Sequence, residues 1–366
     1  MLQSEPLSAV SLFSGAGGMD QGFKEAGIRP LFANDLDPDA CDTYRLNHGD
    51  KIVRGDLQGF LPELAQYRGV DFVFGGPPCQ GFSVAGKMDP NDVRSQLIKR
   101  FFDVVLMCRP RAFVCENVKA LATLQKFANI RSEIERSARH QYSMATLVLR
   151  ASDFGVPQHR DRMFIVGISR DILDCNTETF SGMLTGELAQ SKQSPQTISD
   201  VIRGLGRAGS AGNSRVCKAR ITFAANPVMR VSPYAGMLFN GAGRPLDPDG
   251  QSSTLPASMG GNKTPIVDEG AIFDGKTPFV ETYHRALRKG GKAKSGLAPA
   301  DLRRLTVDEC LAIQTFPPNY KMAGSTSALF RQIGNAVPAR LAAAVAKSVS
   351  AILADANKSR VAVAAE

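Results

Sequence analysis

Apolar residues recur along this chain in two periods. Short apolar runs, each stopped by glycine, proline or an acidic residue, read as strands buried on both faces. They fall at residues 8–13, 31–34, 51–54, 70–74 and 111–115. Residues 19–26, 95–108 and 130–139 carry apolar positions at helical spacing. Residues 142–149 and 163–168 read as a terminal pair of strands. Strands alternating with helices predict an α/β fold, a doubly wound and mostly parallel sheet.

The pattern lapses after about Arg170. From there to about Ala300 the chain is rich in Gly, Ser, Pro and Asn, as in Asn240-Gly241-Ala242-Gly243-Arg244-Pro245, and has no long periodic segment. This region reads as a second, smaller and irregular domain. Helical order returns at Thr306, an N-cap with Glu309 three residues on, the signature of a capping box. Pro317-Pro318 ends that helix, and a long Ala/Val-rich helix follows from the 332–338 segment to about Ala356. It is apolar enough to pack back on the first domain. The expected organisation is therefore 1–170, 171–302 and a returning segment 303–366.

Composition narrows the class. The 366 residues are 43% hydrophobic with 34 glycines, as in a globular protein. A net charge of +9 and a pI near 9.3 suit a polyanionic partner, although charge alone fits any basic protein. The seven cysteines form no CxxC pair and are odd in number. That speaks against a disulfide framework or a zinc site and for a reducing, cytoplasmic setting. The four histidines lack ligand spacing, so no metal is expected. The first six residues make no secretory signal, and no stretch is expected to cross a bilayer.

Candidate chemistry sits at the strand ends. The first strand runs into Ser14-Gly15-Ala16-Gly17-Gly18 and then a helix. Such a turn holds a nucleotide-like ligand at the helix N-terminus. The spacing is not GxGxxG, because Asp20 stands where the last glycine belongs, and this disfavours a nicotinamide oxidoreductase. Asp35 and Asp56 follow strand tips, where an acid takes a ribose hydroxyl or an adenine amine, or simply caps a turn. The run at 70–74 leads into Gly75-Gly76-Pro77-Pro78-Cys79-Gln80-Gly81, a stiff turn carrying one thiol. An isolated cysteine is ordinarily a core residue; this mount suits a nucleophile. The fifth strand delivers Glu116-Asn117, and Arg160 and Arg162 flank Asp161, with which either could form an exposed ion pair. In a doubly wound sheet these strand ends share one rim.

At this point the blocks LFSGAGG, GGPPCQGFS, CENV, QHRDR, RRLTVDECLAIQTFPPNY and QIGNAVP, in that order, resemble the DNA (cytosine-5) methyltransferase family. The resemblance runs from about Leu12 to Pro338 except for the middle region. It implies a Rossmann-like fold dependent on S-adenosyl-L-methionine, with Cys79 adding to C6 of a cytosine flipped out of duplex DNA. It implies that Glu116 holds ring N3, that Arg162 grips the cytosine carbonyl and that Arg160 stabilises the nearby site. Phe13, Ser14, Gly15, Ala16, Gly17 and Gly18 match the cofactor cradle, Asp35 and Leu36 the ribose and adenine positions, and Asp56, Pro78 and Asn335 further cofactor contacts. Asp35 stands where Glu is common, and Leu36 where an aromatic usually stacks on adenine. Ser83, Lys87 and Arg94 fall in the family's mobile loop as candidate phosphate contacts. Thr254-Leu255 resembles a short signature of the target-recognition region, and equally a turn before Pro256. The resemblance further implies a monomer acting on double-stranded DNA, in a restriction–modification system with an endonuclease of the same specificity or as an orphan methylase. RNA as substrate and a catalytically idle DNA-binding relative are the competing readings on the same fold.

Overall fold

The computed structural model describes residues 6–78 and 96–364. Cys79, Ser83, Lys87 and Arg94 lie outside the described residues. The chain divides into two compact units, residues 1–154, 161–193 and 337–366, and residues 155–160 and 194–336.

The first unit is built on a seven-stranded sheet. Its strands are β1 (Leu7–Leu12), β2 (Ile28–Asp35), β3 (Ile52–Arg54), β4 (Phe72–Gly75), β5 (Ala112–Val118), β6 (Tyr142–Arg150) and, after the two-residue β7 (Gln158–His159) of the second unit, β8 (Asp161–Ser169). The order is β3-β2-β1-β4-β5-β8-β6. The first five are mutually parallel, whereas β8 runs antiparallel to both β5 and β6. The strand order reverses at β1, where the chain steps outward to β2 and later returns as β4, and such a switch point opens a crevice beyond the strand ends.

Helices Gly18–Glu25, Pro38–His48, Gln96–Cys108 and Ala128–Ala138 fall between the strands. The helix Pro38–His48 has a weak apolar periodicity and was not expected; Asp37 caps it by accepting from the Asp39 amide at 3.0 Å. β5 is longer than the run 111–115 suggests, because Glu116 and Asn117 continue the ladder with β8. Gly22 admits the C-terminal helix Ala339–Ala364 to contact: a Cβ there would sit 2.4 Å from the Ala339 carbonyl oxygen. Alanine on one helix and glycine on the other permit that approach.

The second unit holds two antiparallel strand pairs, Phe223–Val228 with Met237–Phe239 and Ile266–Asp268 with Leu302–Arg304. The Thr306–Glu309 capping box forms: Thr306 Oγ1 accepts from the Glu309 amide at 3.0 Å, and Glu309 Oε2 from the Thr306 amide at 2.9 Å. Pro338 separates helix Thr326–Asn335 from Ala339–Ala364, so the expected continuous helix from 332 onward is two helices. The stretch Thr326–Lys358 is, contrary to the expectation from sequence, long and apolar enough by composition to cross a bilayer. Its most apolar window is 72% buried inside the fold, as a core helix is. Helix Thr177–Gln190 also lies in the region read as irregular; its apolar positions Phe180, Leu184 and Leu188 are buried.

Candidate active site

The site begins where β4 ends. A Cβ on Gly75 would lie 2.1 Å from the Leu12 carbonyl oxygen, so only glycine lets β4 run this close to β1. A Cβ on Gly76 would lie 2.9 Å from Glu116 Oε2, so the second glycine leaves room for that carboxylate. Asn117 then fixes the turn from β5, its Nδ2 donating to the Pro77 carbonyl at 3.1 Å. The backbone that leads into Pro78 and Cys79 is thus held beside Glu116.

Glu116 meets Arg162 across the β5–β8 ladder. In the antiparallel register Glu116 faces Phe164 and Val118 faces Arg162, so Glu116 and Arg162 are diagonal neighbours on one face of the sheet. Arg162 Nε lies 2.8 Å from Glu116 Oε1, and the two side chains are only 14% and 11% exposed. A second guanidinium nitrogen, Nη1, donates to the Asp161 carbonyl at 2.8 Å. The Asp161 carboxylate instead takes Lys119 at 2.9 Å and Arg150 at 3.4 Å. The alternative of a surface pair between Arg162 and Asp161 is therefore not what forms. Cys115, adjacent to Glu116, is enclosed in the core, and burial pushes its thiol well up, aided by the Glu116 charge. It is a packing residue, not a nucleophile.

The glycine turn after β1 has the conformation its composition suggests. Phe13, Gly15 and Gly17 take φ of 53°, 53° and 80°. Nothing stands within 4 Å of where a Cβ would sit on Gly15, so the turn is open there. Gly15 donates its amide to Asp35 Oδ2 at 2.7 Å, and Asp37 donates to Asp35 Oδ1 at 2.8 Å. Burial raises the Asp35 carboxyl above its ordinary range, and these amides oppose the rise. Ser14 bonds its amide to the Asn34 carbonyl at 3.0 Å, Ala16 and Gly18 are buried, and Leu36 is 70% exposed. Asp56 caps the turn Leu57–Phe60 by accepting from the Gln58 amide at 3.0 Å. An open, left-handed glycine turn beside a fixed carboxylate suits a polar, nucleoside-bearing ligand.

The pair Asp20 and Tyr44 is not visible in the sequence. Asp20 is fully buried and accepts a 2.9 Å hydrogen bond from the Tyr44 hydroxyl. The one available signal was an acidic residue in the first turn of a helix that its spacing places against the sheet.

Arg160, Thr254 and Asn335 belong to the second unit. Arg160 is 2% exposed and donates to the Leu255 carbonyl at 3.1 Å and the Gly334 carbonyl at 2.9 Å. Gln158 reinforces it, accepting from the Leu255 amide at 3.0 Å and donating to Gln314 at 3.2 Å. Thr254 donates its hydroxyl to the His159 carbonyl at 2.7 Å. Gly334 packs so tightly that a Cβ would lie 2.4 Å from the Pro256 carbonyl oxygen. Asn335, exposed, ends helix Thr326–Asn335. Arg160 thus ties three separated segments together. Among the described residues, no group of His, Cys, Asp and Glu could hold a metal ion.

Comparison with known proteins bears on this site. The model of the C-5 cytosine-specific DNA methylase family matches residues 7–351. The type II methyltransferase M1.HphI of Haemophilus parahaemolyticus is 32% identical over 361 residues, covering 94% of this chain and 86% of that protein. M.NgoFVII of Neisseria gonorrhoeae is also 32% identical, over 359 residues, 94% of this chain and 87% of that protein. Among solved structures, a DNA modification methyltransferase encoded in an E. coli prophage superposes with a TM-score of 0.65 at 21% identity, covering 95% of this chain and 99% of that one. The S. pombe Dnmt2 methyltransferase does so with a TM-score of 0.65 at 18% identity, covering 96% and 99%. These two likenesses establish the fold. Together with the match along nearly the whole sequence, they mean that the chain belongs to the C-5 cytosine-specific DNA methylase family and is a DNA (cytosine-5) methyltransferase.

Proposed function

We propose that Cys79, Glu116 and Arg162 carry out the methylation, with S-adenosyl-L-methionine as methyl donor. The observation that carries this reading is the largely buried Glu116–Arg162 pair beside Gly76 and Pro77, the backbone that leads to Cys79. C5 of cytosine is too weak a nucleophile to take a methyl group unaided. The Cys79 thiolate forms a bond to C6 while Glu116, in its protonated carboxylic acid form, gives its proton to N3 and becomes the carboxylate, so that C5 becomes the nucleophilic end of an enamine. Arg162 holds the carboxylate on one side and the cytosine carbonyl on the other, its fixed fork suiting both. The donor supplies an electrophilic methyl group on a sulfonium. Loss of the C5 proton to a base then expels the Cys79 sulfur, and N3 returns its proton to the Glu116 carboxylate.

Phe13 to Gly18, Asp35, Leu36, Asp56, Pro78 and Asn335 are the residues we assign to the donor. The open turn and the anchored Asp35 support that assignment. Arg160 acts as a positioning residue, holding the segments that carry Thr254 and Asn335. The region 171–302, apart from residues 171–193, which group with the sheet unit, is the proposed reader of the target sequence, and Ser83, Lys87, Arg94 and Thr254 are the proposed DNA contacts. The base must leave the stack, which takes a few kcal/mol. The chain acts as a monomer in a bacterial cytosol, and its relatives' type II naming supports a partner endonuclease of the same specificity.

The decisive experiment uses duplex oligonucleotides containing 5-fluorocytosine, whose fluorine blocks the elimination step. A denaturation-resistant adduct mapping to Cys79 is expected, absent in Cys79→Ser. Continued turnover of ordinary duplex DNA by Cys79→Ser would overturn the covalent step.

A further inference from the structure

Asp20 stands in the first turn of helix Gly18–Glu25 and is 0% exposed. Tyr44 donates to its Oδ1 at 2.9 Å, Ser11 faces the carboxyl from β1, and Oδ2 has no hydrogen-bond partner among the described residues. His48, one turn beyond Tyr44, packs its ring on the tyrosine with centroids 4.7 Å apart and hydrogen-bonds the backbone of Gly17. Burial, then the charge of Lys24, lowers His48 to about 4, so the ring is neutral near pH 7. Asp35 reaches the same turn through the Gly15 amide, and its charge is felt at Asp20. At Gly22 on this helix the nearest atoms of the C-terminal helix belong to Ala339, Ala342 and Ala343.

The hydrogen bonds of Asp20 and Asp35 come from hydroxyls and backbone amides; no Lys or Arg among the described residues pairs with either. A buried carboxylate is expensive unless a positive charge answers it. Among the described residues, no lysine or arginine answers either carboxylate by a hydrogen bond or ion pair. S-adenosylmethionine brings a positive charge in its sulfonium, and its demethylated product, S-adenosylhomocysteine, has a neutral thioether instead. We propose that Asp20, carried by Tyr44 beneath the glycine turn, is a specificity-determining residue that favours the cationic donor over the neutral product. The inference rests on the donor assigned above. Transfer of the methyl group removes the positive charge, so the attraction that drew the donor in no longer retains the product.

Burial lifts Asp20 to about 7 against the hydrogen bonds of Ser11 and Tyr44, with Asp35 adding to the rise. The preference should therefore fade as pH falls through that value and Asp20 takes a proton. Titration calorimetry of S-adenosylmethionine and S-adenosylhomocysteine on the full chain between pH 6 and 8 tests this. The ratio of product Kd to donor Kd is expected to fall roughly tenfold in wild type as pH drops. In Asp20→Asn it should be low and flat. Tyr44→Phe, which removes the donor to Asp20, should move the wild-type midpoint to higher pH. If Asp20→Asn does not fold, the wild-type pH series decides alone. A wild-type ratio independent of pH, or a ratio in Asp20→Asn equal to wild type throughout, overturns the proposal. Failure of either ligand to bind wild type would instead overturn the donor assignment itself.

Discussion

At the scale of single residues the site depends on which partner each charge takes. Arg162 sits among three acceptors, the Glu116 carboxylate, the Asp161 carbonyl and the Asp161 carboxylate, and bonds the first two. The Asp161 carboxylate is occupied by Lys119 and Arg150, so the guanidinium is left to orient Glu116. Charge-assisted hydrogen bonds between groups this shielded are stronger than those at the surface. Arg162→Lys keeps the charge but loses the planar fork. It is expected to lower kcat by roughly 100-fold while the thermal midpoint moves little, as measured by methyl incorporation into duplex DNA and by calorimetry. Retention of wild-type kcat would remove Arg162 from the reaction. Glu116 and Arg162 were legible in the sequence because the CENV and QHRDR blocks carry them. Asp20 and Tyr44 were not, because 24 positions separate them and neither residue type in isolation says that it is buried.

At the scale of elements, the twin glycines of the GGPPC turn show how a local motif is explained by distant neighbours. Both were read from sequence as permitting close backbone approach. The structure assigns each its own neighbour, the β1 backbone for Gly75 and the Glu116 carboxylate for Gly76. Gly75→Ala should destabilise the fold, since the obstacle is backbone that cannot turn aside. A loss of roughly 1–3 kcal/mol is expected in urea unfolding. Gly76→Ala meets a side-chain oxygen and should instead impair methyl transfer more than stability. Equal stability of Gly75→Ala and wild type would show that β1 and β4 can separate without loss. Strand existence was legible from apolar runs, but strand ends were not. The 111–115 run stops before Glu116 because polar residues end the pattern, whereas the ladder continues to Val118 since β8 supplies partners.

At the scale of the whole molecule, the chain crosses between its two units several times. Residues 155–160 leave the sheet unit briefly, and residues 194–336 do so at length. A Gly/Ser/Pro/Asn-rich middle region was visible in composition. Its internal framework was not, because it depends on long-range bonds such as Arg160 to Leu255 and Gly334. The net charge of +9 fits a polyanion as substrate. Duplex DNA binding should weaken steeply with salt, with Lys87→Ala and Arg94→Ala each reducing the slope of log Kd against log salt by about 1. Unchanged slopes in a filter-binding series would exclude these two side chains from the phosphate contacts.

The sequence alone determined the alternation of strand and helix, the glycine turn after β1 and the Thr306 cap, because each is set by residues close in the chain. Periodicity, backbone freedom and capping chemistry act over a few positions, and a reader of the chain can follow them. The tertiary structure decided which strands are neighbours, that Glu116 faces Arg162 rather than solvent, that Arg160 is a buried tie and that Asp20 is buried with no cationic partner among the described residues. Those facts depend on desolvation and on partners far along the chain, and burial is a property of the folded surroundings that no short stretch carries within itself.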